Sequence, residues 1–290
     1  MPRGVVVIAA FVAAVVLILV ALLGPLGLGV IRYWTSASGV AQTMGVDLVN
    51  LVLIAPILLI GGALLLARKS AAKYFLILTP VTLFSLAIEA GVGEEWLNPA
   101  YSGNAETYAS LFIVLIAASL VLLIGSLPLF TPKDVPRFGR GGLRVYVGVM
   151  CLLLAVFTVM WISELVEVAT TGDTSTGSYS ATPVGFWAVR FMDLGITIPL
   201  GFLGLFLLIS KPERAYPLVL LFFGFFVTLG TSVCAMAVMM VVRSDPTVQP
   251  GGLVVFPALA IMAWGGLLYL VKDKLPWSRR ARSPSGSASP

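Results

Sequence analysis

An all-α, polytopic integral membrane fold of about eight transmembrane helices is predicted for this chain by three observations. Apolar residues fill 59% of the 290 positions and charged residues only 11%, where soluble domains run near half and about a quarter. The apolar residues come in long uninterrupted blocks, as lipid-facing helices require. The basic residues collect in alternate connections between those blocks.

Stretches long enough to span a bilayer lie at 5–31, 46–67, 73–92, 107–130, 143–166, 184–209, 215–242 and 252–272. Each supplies the roughly 20 residues that a hydrocarbon core of about 30 Å demands. The first opens like a signal peptide, Met1-Pro2-Arg3. Its apolar run outlasts a signal peptide's and ends in Gly24-Pro25-Leu26-Gly27, not in a cleavage box. It is expected to be an uncleaved helix kinked at Pro25. Boundary signals separate the blocks: Arg68-Lys69-Ser70, Asn98-Pro99, Thr131-Pro132-Lys133, Lys211-Pro212 and Pro250-Gly251-Gly252. The membrane domain is expected to occupy 1–275, and the Ser-, Pro- and Arg-rich residues 276–290 to form a disordered cytoplasmic tail.

Of the 18 Lys and Arg, all but Arg32, Arg190 and Arg243 fall at one end of the helices. Of the 13 acids, only Asp134, Glu213 and Asp273 share that end. An excess of Lys and Arg in short loops marks the cytoplasmic face. Both termini are therefore expected in the cytoplasm, with the chain in a plasma membrane. The net charge of +5 is then a topology and headgroup signal, not a nucleic-acid patch.

The second and sixth spans share a layout. Asp47-Leu48 precedes Pro56 and Arg68; Asp193-Leu194 precedes Pro199 and Lys211; Tyr74 and Tyr216 open the helices that follow. The Asp-to-Pro spacings are nine and six residues, so the match is partial. Two readings stay open: a parallel repeat of four spans plus four, which puts binding sites at the repeat interface, or the basic cytoplasmic turn in which any hairpin of membrane helices ends.

Several chemistries find no residues. Histidine is absent, which removes His-based metal sites and His-activated nucleophiles. Cys151 and Cys234 lie in separate spans and are expected as small buried hydrophobes. Gly139-Arg140-Gly141-Gly142 lacks the strand and the Lys-Ser/Thr ending of a phosphate loop. Every lysine sits in a cytoplasmic loop or at a helix end, so none is placed for a retinal Schiff base. No catalytic residue, cofactor or metal ligand set is predicted.

Polar residues within the apolar blocks are the functional candidates: Asp47, Asn50, Glu89, Glu164, Arg190 and Asp193. Measured from the basic residue of its own helix, Glu89 lies about 24 Å along the axis, Asp193 about 27 Å, Glu164 about 30 Å and Asp47 about 32 Å. They should form a tier near the outer boundary, suited to a groove that opens outward. Arg190 and Asp193 share a helix face and are expected to pair; Asp47 and Asn50 share one in the same way. Trp161 is expected as an interfacial anchor. Gly61-Gly62 and Gly265-Gly266 are expected to allow close helix packing.

The run Asp47-Leu48-Val49-Asn50-Leu51 with Pro56, the run Met192-Asp193-Leu194-Gly195 with Pro199, and Trp161-Ile162-Ser163-Glu164 resemble uncharacterised multi-pass membrane proteins of prokaryotes. The resemblance implies a bacterial or archaeal membrane and no activity. Three readings stay open. The first is a carrier or binding protein for a small solute or lipid, using the tier. The second is a non-catalytic subunit or sensor that docks a membrane or cytoplasmic protein. The third is an intramembrane enzyme with paired carboxylates such as Asp47 and Asp193.

Overall fold

The computed structural model describes residues 1–172, 179, 182–248 and 250–274; the tail expected over 276–290 lies outside them. Helix is the only regular structure among the described residues. Eight helical segments there are long and apolar enough to cross a bilayer: α1 (Arg3–Leu23), α2 (Ala37–Leu66), α3 (Ala72–Val92), α4 (Ala105–Leu129), α5 (Arg140–Thr171), α6 (Pro183–Ser210), α7 (Pro212–Val242) and α8 (Gly252–Lys274). The chain is an all-α polytopic membrane protein.

Helix ends follow local chemistry more than hydropathy. α1 stops at Leu23, and Gly24 is already extended at φ −74°, ψ −173°. The residue before a proline is driven out of the helical region, and Pro25 follows. The expected kink is therefore a helix end, and residues 24–36 form a connection. α2 starts at Ala37, well before its apolar stretch, because Ser36 caps it: the Ser36 hydroxyl accepts the Gly39 N–H at 3.1 Å. α3 is broken between Leu76 and Pro80. Proline cannot continue the preceding hydrogen-bond ladder, and the Thr79 hydroxyl turns back to the Leu76 carbonyl at 3.3 Å.

α2 and α6 each contain one π-helical turn, Asn50–Ile54 and Asp193–Thr197. In both helices one further residue leads to a proline, Pro56 or Pro199. The wider turn absorbs the donor that proline lacks. Counting from the prolines, Asn50 is equivalent to Asp193, and Asp47 to Arg190. The sequence match of Asp47 with Asp193 is thus displaced by about one helical turn.

Packing repeats between the halves. α1 packs on α2 and α4, and α3 packs on α2 and α4; α5 packs on α6 and α8, and α7 packs on α6 and α8. Across the seam α2 meets α7, α3 meets α6, and α3 meets α7. Exchanging the halves exchanges the first two contacts and returns the third to itself, the pattern of a parallel two-fold repeat. Each half has its own core, Leu17, Ile54, Leu58 and Leu122 in one, Leu154, Leu205, Tyr216 and Phe223 in the other. Small residues bring the seam together. A Cβ on Gly45 would lie 2.4 Å from the Met236 nitrogen of α7, and one on Gly224 would lie 2.7 Å from Leu78 Cα of α3. Thr82 of α3 and Thr228 of α7 share a buried hydroxyl hydrogen bond of 2.6 Å where those helices cross. Gly61 packs on Leu76, Gly62 on Ala10 and Gly266 on Met150, whereas Gly265 faces open space.

Candidate functional site

The six polar candidates divide between the halves. In the second half, α5 and α6 bring three of them together around an aromatic clamp. The Arg190 guanidinium lies 4.2 Å from the Trp161 ring centroid and 3.9 Å from that of Phe186, a spacing that adds cation–π attraction to its charge pairing. It forms an ion pair with Glu164 across the helix boundary. The Trp161 indole N–H donates to Asp193 Oδ2 at 2.9 Å, so Trp161 is part of the network and not only an anchor. Asp193 also feels the positive charge of Arg190, its neighbour on the same face. From α3, Glu89 accepts a 2.8 Å hydrogen bond from Ser85 and lies within electrostatic range of Asp193. One buried cation thus holds a group of acids in place, the arrangement that makes ionised side chains tolerable in an apolar bundle.

The first half builds the equivalent position differently. Asp47 and Asn50 are buried, at 2% and 3% exposure, and Asp47 Oδ2 and Asn50 Oδ1 have no hydrogen-bond partner. The packing equivalent of α5 is α1, which carries no polar side chain beyond Arg3. Nothing on it can play the part of Trp161 or Glu164. What α1 offers is its C-terminus: a Cβ on Gly24 would lie 2.7 Å from Asp47 Oδ2. The Leu26 amide in the turn that follows approaches the carboxylate. The helix end itself is the negative pole of α1.

A cap covers this end of the bundle. Residues 24–36 and 93–104 are laced by Asn104, whose Oδ1 accepts the Arg32 N–H at 2.8 Å and whose amide donates to the Val30 carbonyl at 3.0 Å. The Glu95 N–H donates to the Trp34 carbonyl at 2.8 Å, and the Trp34 indole to Glu106 at 2.9 Å. Glu95 also accepts the Val184 N–H at 2.7 Å, so the cap is tied to the first turn of α6, where a carboxylate suits the helix dipole. Tyr33 and Glu94 point inward from the cap and are buried. Burial, and then the negative charges of Asp47 and Glu94, push the Tyr33 phenol well above its ordinary range. Burial likewise pushes Glu94 up to about 8, against the Trp34 backbone amide that lowers it and with help from Glu95.

The six candidates are therefore split in two, with the cap over this end of the bundle. Glu164, Arg190 and Asp193 converge, with Glu89 beside them. Asp47 and Asn50 lie at the end of α1 with Tyr33 and Glu94 nearby. The cap residues were not among the candidates. The doublet Glu94-Glu95, directly after an apolar stretch, was the available signal. Two cavities elsewhere are apolar: one of about 370 Å³ near the basic end, walled by α4, α6 and α7, and one of about 10 Å³ among α5, α7 and α8. None of the six candidates lines either. Cys151 and Cys234 are both free thiols. Among the described residues no group of His, Cys, Asp and Glu could hold a metal ion. No family model, curated protein or solved structure matches this chain.

Proposed function

We propose that the protein is a membrane carrier or binding protein for a small polar solute or lipid headgroup, which it meets at the polar tier under the cap. The observation that supports this most is the pair of π-helical turns at one register of α2 and α6. Proline accounts for each turn locally; irregular turns within a membrane are tolerated where they are buried in protein or line a cavity, and in transporter repeats interrupted helices coincide with sites. Both turns here begin at a buried polar residue, Asn50 or Asp193. The basic end is assigned to the cytoplasm by the positive-inside rule, which puts both termini there and turns the cap outward.

The subunit and enzyme readings draw less support. An acid–base enzyme needs Asp47 and Asp193 side by side, yet one packs at the end of α1 and the other against Trp161 of α5. A docking subunit needs no buried charge network, and this bundle carries one.

The test is solvent access. With Cys151 and Cys234 replaced by alanine, a single cysteine is introduced at Thr197, a buried position in the α6 π turn. A membrane-impermeant thiol reagent added outside intact cells should modify it, more slowly than a cysteine at exposed Leu97. A Thr197→Cys variant that stays unmodified from both faces of the membrane sinks the carrier reading.

A further inference from the structure

The two halves differ in one physical respect. At the second-half position Arg190 supplies a positive charge to Glu164 and Asp193. At the equivalent first-half position stands Asp47, followed by Asn50 on the same face. Here two oxygens, Asp47 Oδ2 and Asn50 Oδ1, are unpartnered and buried. Among the described residues no cation pairs with them, and the Leu26 amide is a neutral donor that approaches the Asp47 carboxylate. α1 contributes the negative end of its dipole at Gly24. The cap contributes Tyr33 and Glu94. α7 contributes Arg243, whose guanidinium is turned onto the Met44 sulfur at 3.2 Å, and Asp245, which is held by Thr247. A buried carboxylate without a paired cation takes up a proton or another positive charge rather than staying bare.

We propose that Asp47 and Asn50 form a binding site for one small monovalent cation, a proton or a sodium ion, that supplies in the first half the charge Arg190 supplies in the second. A proton on Asp47 Oδ2 makes that oxygen a donor towards an acceptor such as Asn50 Oδ1. A sodium ion takes both oxygens as ligands. This deepens the carrier reading, on which its use as a coupling ion rests; occupancy itself does not depend on that reading.

The experiment uses the full chain in lipid nanodiscs and reads thermal unfolding by tryptophan fluorescence. In one arm, at alkaline pH, sodium is exchanged for choline at constant ionic strength. In the other, sodium-free samples are acidified. A saturable rise of the midpoint with sodium identifies that ion; a rise on acidification alone identifies the proton. Glu94→Gln is carried in every sample so that Glu94 does not contribute. Asp47→Asn should abolish whichever response the parent shows. Asn50→Ala keeps the carboxylate and should shift the response to roughly tenfold higher cation concentration, which protects the test should Asp47→Asn fail to fold. Identical responses in the parent and both variants, or none in the parent, overturn the proposal. A response at Asp47 with an inaccessible Thr197→Cys leaves a structural cation site and removes the carrier. Accessibility without a response removes the cation site alone.

Discussion

Replacing Gly45 by alanine should loosen the seam between the halves, and the magnitude follows from the geometry. Gly45 lies in an unbroken part of α2, and a Cβ there would sit 2.4 Å from Met236 N, 2.5 Å from Met236 Cα and 2.6 Å from the Ala235 carbonyl carbon. All three are backbone atoms of α7, so no side chain can swing aside. Ordinary contact begins near 3.4 Å, so the helices must part by about 1 Å over their packed length. Overpacking of this kind costs about 1–3 kcal/mol. Alanine's better helix propensity returns about 0.8–1 kcal/mol, which leaves a net loss of up to about 2 kcal/mol. Gly148 is the control: it sits inside α5 with nothing within 4 Å of its Cβ position, so Gly148→Ala keeps the propensity gain without the clash. Thermal unfolding in one detergent should order the midpoints Gly148→Ala, wild type, Gly45→Ala from high to low. A Gly45→Ala midpoint equal to that of Gly148→Ala would refute the tight α2–α7 seam.

Glu94 is held near 8 in the fold against 4.5 ordinarily. With a raised folded value, its contribution to stability is complete below 4.5 and is lost as pH climbs through about 8. Glu94→Gln should flatten that decline, by at most about 5 kcal/mol over the interval, as read from unfolding midpoints across pH. Asp134 is the opposite case. Burial raises its carboxyl, but hydrogen bonds from Lys73 and Thr131 outweigh it and hold the group below its ordinary 3.8. Its stabilisation is therefore present above 3.8 and lost as pH falls through the lowered value. Because Lys73 Nζ lies 2.6 Å from Asp134 Oδ2 with both side chains nearly buried, Asp134→Asn should cost about 3 kcal/mol at neutral pH, and a cost unchanged on strong acidification would contradict the pairing.

What the sequence made legible depended on the range of the interaction. Span number and order rest on runs of apolar residues, which are local, and those carried over. Helix ends depended on single residues. Ser36 was readable as a cap, but the polar stretch after it hid the start of α2, and Pro25 was read as a kink where it ends α1. The repeat was visible through Pro56 and Pro199, yet Asp47 was matched to Asp193 because identical letters drew the alignment. Anchoring on the prolines would have put Asn50 opposite Asp193. Side-chain partners were not legible at all. Arg190 reaches Glu164 on another helix, and Trp161 finds Asp193, because α5 and α6 pack face to face. The cap depends on Asn104 meeting residues 30 and 32 far away in sequence, which no local pattern announces.

The equivalence of Asp47 and Arg190 leads to a prediction of opposite signs at one repeat position. Arg190 is the positive centre for Glu164 and Asp193, with Glu89 close behind. Arg190→Leu leaves buried Asp193 and half-buried Glu164 without it and should destabilise the bundle by about 3 kcal/mol. Asp47 has no paired cation among the described residues, and the nearest end of α1 is itself negative. Asp47→Asn therefore removes a cost, and without sodium at alkaline pH it should unfold no lower than wild type. If halves of the same packing merely repeated the same polar device, both substitutions would damage it alike. Two losses of similar size under those conditions would show that Asp47 is neutralised within the chain, and that the asymmetry between the halves has no part in binding.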